Sequence, residues 1–216
     1  MKSKSKYCII LFIGIATMKI NSQEIRINSP EISFATGLNF TTYDYKNNLA
    51  EKNNNLSIGR GNFYEISYLI SIDRKRTLQF QLGGSINEYN ANGGDNNNIY
   101  SWESTYLGLK GGFILNLLPS ESQFNIALNM GLNLNGIIDG DQRINGLIYD
   151  LTKQEEFKGL FLQGDAGISI RYNLNNYSGI GVGYQYSRSR KIANTTNEVL
   201  MFSNNQIQFR LHYEIF

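Results

Sequence analysis

The chain has 216 residues but only one cysteine, one histidine, one tryptophan and two prolines. Cys8 is the only thiol, so no disulfide framework is available to stabilise a small exported fold. No apolar run reaches the roughly 20 residues that a membrane helix needs. If the chain crosses a membrane, it does so with strands. Neither sign of charge dominates, with 20 basic and 18 acidic residues. The only apolar stretch near the start, residues 8–16, follows Lys2, Lys4 and Lys6, which is the pattern of a secretory signal peptide over residues 1–22. Its removal would take Cys8 and four lysines and no acid, leaving 16 basic and 18 acidic residues. The slight basic excess therefore belongs to the signal, and no nucleic-acid partner is expected. Residues 23–216 are read as one domain.

What is present is alternation. Residues 206–216 read Q-I-Q-F-R-L-H-Y-E-I-F, with Ile207, Phe209, Leu211, Tyr213 and Ile215 on one parity and Gln206, Gln208, Arg210, His212 and Glu214 on the other. A strand turns successive side chains to opposite faces, so this is a two-faced strand. Seven earlier segments alternate in the same way, at about 31–43, 62–72, 77–89, 100–117, 124–136, 160–174 and 179–188. The segment 124–136 is the cleanest: Phe124, Ile126, Leu128, Met130, Leu132 and Leu134 alternate with Asn, Ala and Gly. Connections after the second, fourth and sixth strands are short. Those after the first, third, fifth and seventh are long and rich in Asn and Gly, and residues 137–159 make the longest. The even count and alternating loop lengths predict an all-β fold: an eight-stranded antiparallel up-and-down transmembrane β-barrel with short periplasmic turns and longer external loops.

The polar parity decides which face is outside. A water-facing surface is rich in Lys and Glu. Here that parity carries mostly Gly, Ser, Ala, Asn and Gln, which fit the narrow interior of an eight-stranded barrel. The apolar parity carries no charge across its middle, where Lys or Arg would cost about 2–4 kcal/mol in lipid. Charges on the inward parity, Glu65, Lys110, Asp165, Arg171, Arg210 and Glu214, are expected to pair as a structural network, with Glu65 and Asp165 linked to Lys110 and Arg210. Aromatic residues cluster at strand ends as two interfacial girdles. Tyr43, Tyr64, Tyr89, Trp102, Tyr184 and Tyr186 lie toward the long loops. Phe80, Phe124, Tyr172, Tyr213 and Phe216 lie toward the short turns.

On this pattern, together with the signal peptide and terminal Phe216, the chain resembles the small eight-stranded outer-membrane barrels of the OmpA/OmpX type. It looks closest to the Bacteroidota-type "outer membrane protein beta-barrel domain" group, also labelled porin-family or PorT-like. The resemblance implies a place in the bacterial outer membrane, contact with its lipid, and insertion by the barrel-assembly machinery through a terminal signal of Tyr213, Ile215 and Phe216. That family usually carries an aromatic two residues before the terminal one; here Glu214 holds that position.

No motif for chemistry stands out. The glycines of 179–183 alternate on the inward face with no helix following, which fits strand packing and not a phosphate loop. Asp139-Gly140-Asp141 lacks the further oxygen ligands of a calcium loop. The N-x-S/T triplets at Asn55 and Asn194 are read as chance. Lipid-modifying enzymes on this scaffold need a His with a Ser, and His212 has no Ser close in sequence. No catalytic residue, metal or cofactor is expected. The expected role is non-catalytic: a protein or glycan ligand bound at the external loops, above all 137–159 with its Ile144, Leu147, Ile148, Tyr149 and Phe157. The alternatives are a channel or transport component, a subunit of an envelope secretion assembly, and a lipid-modifying outer-membrane enzyme.

Overall fold

A computed structural model describes residues 30–46, 56–95, 98–119, 122–175, 177–193 and 198–215. The signal-peptide reading of 1–22, the loop 47–55, the triplets at Asn55 and Asn194, and Phe216 fall outside the described residues.

Ten strands follow in order: β1 (Glu31–Lys46), β2 (Leu56–Ser71), β3 (Leu78–Glu88), β4 (Ala91–Asp95), β5 (Asn98–Asn116), β6 (Phe124–Ile144), β7 (Leu147–Asp150), β8 (Leu160–Asn173), β9 (Ser178–Lys191) and β10 (Val199–Glu214). Eight of them form a closed antiparallel ring, β1-β2-β3-β5-β6-β8-β9-β10, and β1 pairs back to β10 from Glu31↔Glu214 to Lys46↔Val199. Closure leaves no unpaired edge around the barrel wall, which a membrane-spanning sheet requires.

The alternation sets the faces as expected. On β6, Leu128, Met130 and Leu132 are exposed, and Asn129 and Asn133 on the other parity are buried. On β2, Tyr64, Ile66, Tyr68 and Ile70 face out, while Glu65, Ser67 and Leu69 face in. The outward side chains form the continuous apolar surface of a transmembrane barrel.

Short turns close one end. After β2, the Asp73 carboxylate accepts the Leu78 N–H at 2.8 Å and holds the turn. After β8, the Asn175 side chain accepts the N–H groups of Tyr177 and Ser178 at 2.8 and 2.9 Å. Both are side chains bonding their own local backbone, the common device of tight turns.

The other end departs from expectation. Residues 91–95, read as loop from composition, form β4, paired with both β2 and β5. Glycine permits it: a Cβ on Gly93 would sit 2.4 Å from the Tyr100 ring. With partners on both sides, the backbone groups of this Asn/Gly segment enter the ladder despite poor strand propensity. The long connection 137–159 is also largely ordered sheet. β6 runs on to Ile144, turns through Asn145 (φ 49°) and Gly146 (φ 86°), and returns as β7. Two successive positive φ values are what an Asn-Gly two-residue hairpin turn needs. β10 likewise begins at Val199 and not near residue 206.

Candidate functional site

The lumen divides into three layers. The middle layer is polar. Glu65 on β2 accepts Lys110 Nζ at 3.1 Å, Ser67 Oγ at 2.9 Å and Gln81 Nε2 at 2.9 Å. Arg210 Nη2 lies 3.5 Å from the same carboxylate, and Arg210 Nε donates to Gln208 Oε1 at 2.8 Å. Lys110 also donates to Gln185 Oε1 at 3.3 Å, and Gln208 to Gln185 at 3.0 Å. Asp165 is held by Asn133 at 2.6 Å. Its Oδ1 has no hydrogen-bond partner, and no direct ion pair ties it to either cation. The expected four-member network is therefore three members around Glu65, with Asp165 on the opposite wall. Amides fill the rest: Asn39 Oδ1 accepts from Asn204 and Gln206, and Gln163 Oε1 accepts from Tyr89 and Asn135. The void left here is about 10 Å³, about the room of one water molecule.

The layer toward the short turns holds the other inward charges. Arg171 Nη1 lies 2.8 Å from Glu31 Oε2, and His212 Nδ1 lies 2.6 Å from Glu31 Oε1. Glu214 pairs with Arg76 of the β2–β3 turn. Glu31 and Arg76 were not singled out from sequence. Barrel closure brings them to partners about 140 positions away, which no local pattern reports. This layer opens into a polar vestibule of about 530 Å³.

The layer toward the long loops is aromatic. Tyr43, Tyr89, Trp102, Tyr106, Phe157, Phe161 and Phe202 are all buried, joined by Leu151 and Leu200. Trp102 meets Tyr43 and Phe157 edge-on, with centroids 5.4 and 5.3 Å apart, and the Tyr89 and Phe202 rings are 4.6 Å apart. Tyr43 Oη donates to the Tyr89 carbonyl at 3.0 Å. Leu151 and Phe157 reach in from the long connection, where Asp150 caps a short 3-10 turn, Leu151–Lys153, by accepting the Thr152 N–H at 2.9 Å. Bonds from the Thr152 hydroxyl and the Lys153 side chain, and then that backbone bond, lower the Asp150 pKa. The assignment of Trp102, Tyr43 and Tyr89 to the girdle is corrected here. Near this end the inward parity itself turns apolar, and the rings stack inside the barrel as a cap.

Tyr64, Tyr184, Tyr186 and Tyr213 are exposed on the outward face, and Tyr172 is half-buried against Phe124. Of the terminal residues, Ile215 donates its N–H to the Pro30 carbonyl at 2.8 Å. The apolar residues of 137–159 split in two. Phe157 belongs to the cap, whereas Leu147, Ile148 and Tyr149 stand exposed on β7. Asn145-Gly146 was the available sequence signal for that hairpin.

No family model matches the chain, and no curated protein matches it. Among solved structures, Neisserial surface protein A is similar with a TM-score of 0.53 at 12% identity, covering 86% of this chain and 97% of that one. The outer membrane protein OprG from Pseudomonas aeruginosa is similar with a TM-score of 0.51 at 12% identity, covering 88% and 98%. At such identities the likeness speaks for the fold alone, and it spans nearly the whole of both neighbours. The chain has the fold of the small eight-stranded outer-membrane β-barrels.

Proposed function

We propose that the protein is an integral outer-membrane barrel of a Gram-negative bacterium that acts by binding at its long-loop end, without catalysis and without conducting solutes. The observation that carries this reading is the β6–β7 hairpin. Its Leu147, Ile148 and Tyr149 are exposed, and among the described residues β7 is paired on one side only, leaving a free strand edge. Exposed apolar side chains beside an open edge suit strand addition by a protein partner.

Two further observations support the reading. A void of only about 10 Å³ within the polar layer, beneath an aromatic cap, does not favour a channel. His212 is bonded to Glu31, with the Arg171 guanidinium on the same carboxylate, an arrangement suited to a structural ion cluster.

A photo-crosslinking residue at Ile148 in intact cells tests this. Protein adducts that vanish when Leu147 and Tyr149 are replaced by Ser, with folding retained, support it. Adducts to lipid alone overturn it.

A further inference from the structure

Arg188 and Arg190 sit two apart on the outward file of β9, directly above Tyr184 and Tyr186. Both arginines are exposed, and neither forms an ion pair or hydrogen bond among the described residues. The register gives their neighbours. Arg188 stands between Gly164 on β8 and Ser203 on β10, and Arg190 between Leu162 and Met201. Among the described residues, no carboxylate stands in register with either one on the adjoining strands. Two like charges this close repel unless a counter-charge is supplied. Among the described residues, neither arginine has an ion-pair partner to supply it.

Beside Arg188 the outward surface is hollow. A groove of about 620 Å³ runs across β3, β5, β6, β8 and β9, walled by Phe80, Phe113, Met130 and Leu132 and reaching Tyr186 and Arg188. Its floor includes Gly111, Gly164 and Ala166. A Cβ on Gly111 would meet nothing within 4 Å, and one on Gly164 only Leu132 Cδ2 at 4.0 Å. Neither glycine has a positive φ. Neither backbone strain nor protein packing therefore accounts for the hollow.

We propose that this face binds a phosphate-bearing lipid in the leaflet at the long-loop end, its phosphate on Arg188 and Arg190 and an acyl chain in the groove. The order across the groove toward β9 matches an amphiphile: apolar walls on β3, β5 and β6, then Tyr186, then Arg188 with Arg190 beyond it. Near the interface an outward arginine costs about 0–1 kcal/mol, and each one near an anionic surface attracts by about 1 kcal/mol. The site stands whether or not the hairpin tip has a partner.

Native mass spectrometry of the folded barrel in mild detergent tests the site, with dioleoyl phosphatidic acid and dioleoylglycerol as probes. Wild type retains the phosphatidic acid and not the diacylglycerol. R188Q/R190Q weakens retention roughly 30-fold, the equivalent of the attraction of both cations, and R188K/R190K restores most of it. G111L, which fills the groove away from the arginines, weakens it with the arginines intact. R60Q, at an outward arginine on β2, changes nothing. Inorganic phosphate at millimolar concentration does not displace the lipid; displacement would mark a free-phosphate site and overturn the lipid assignment. Equal retention of diacylglycerol, or equal losses in R60Q and R188Q/R190Q, would also overturn it. Faster gel migration of unheated samples shows that each variant is folded.

Discussion

Lys110 Nζ lies 3.1 Å from Glu65 Oε2 across a strand that separates their own, for β2 and β5 both pair with β3 at that level. The pair spans the lumen wall and is almost wholly buried. Such a pair costs much to break and little to replace. Lys110→Met leaves Glu65 with the more distant Arg210, and unfolding in urea from lipid vesicles should show a loss of about 3 kcal/mol. Adding Glu65→Met and Arg210→Met, so that no charge of the cluster stays unpaired, should recover a large part of that loss. A triple variant less stable than Lys110→Met alone would contradict the pairing.

Trp102 is the only tryptophan, so fluorescence reports the aromatic cap directly. Its emission should be blue-shifted, poorly quenched by aqueous acrylamide and poorly quenched by brominated lipid. Phe157→Ala removes the ring that meets it edge-on. That should cost about 3–5 kcal/mol locally and raise acrylamide quenching. Strong quenching by brominated lipid in the wild type would return Trp102 to the girdle.

The cap should also respond to pH through Glu156. Burial raises its pKa, and the Glu198 carboxylate raises it further, while Lys191 acts in the opposite sense. A carboxyl whose folded pKa is raised contributes stability that is complete below the ordinary carboxylate range and is lost as pH rises through the folded value. Hydrogen exchange in residues 151–157 should therefore quicken across that window in the wild type. Glu156→Gln should remove this part of the pH slope, and an unchanged slope would refute it.

The hairpin tip depends on Gly146, whose φ of 86° a branched side chain adopts only under strain. Gly146→Val should speed exchange in residues 141–150 and leave the barrel's resistance to heated detergent unchanged. A matching loss of barrel stability would show that the hairpin is part of the ring's support.

How much of this was legible depends on whether one parity carries one chemistry. On β6, apolar and polar residues separate cleanly from Phe124 to Leu134, so strand, facing and membrane class could all be read. On β10 the inward parity runs from Arg210 and Gln206 to Phe202 and Leu200, changing from polar to apolar within a single strand. A rule that places apolar residues outside must fail there, and it put Trp102 on the wrong face. β4 was hidden because its Asn and Gly residues owe their conformation to neighbours on both sides. Glu31 and Arg76 were hidden because their partners arrive only when β1 meets β10. Glu65, Lys110 and Arg210 could be picked out singly from their parity, but the shared carboxylate follows from the barrel's register.

Everything above depends on which parity faces lipid, and a tryptophan scan in a Trp102→Phe background measures that directly. Single tryptophans at Leu128, Met130 and Leu132, and at Asn129 and Asn133, would be placed in vesicles containing brominated lipid. The account predicts strong quenching at 128, 130 and 132 and weak quenching at 129 and 133. The reverse order, or no alternation along β6, would contradict it.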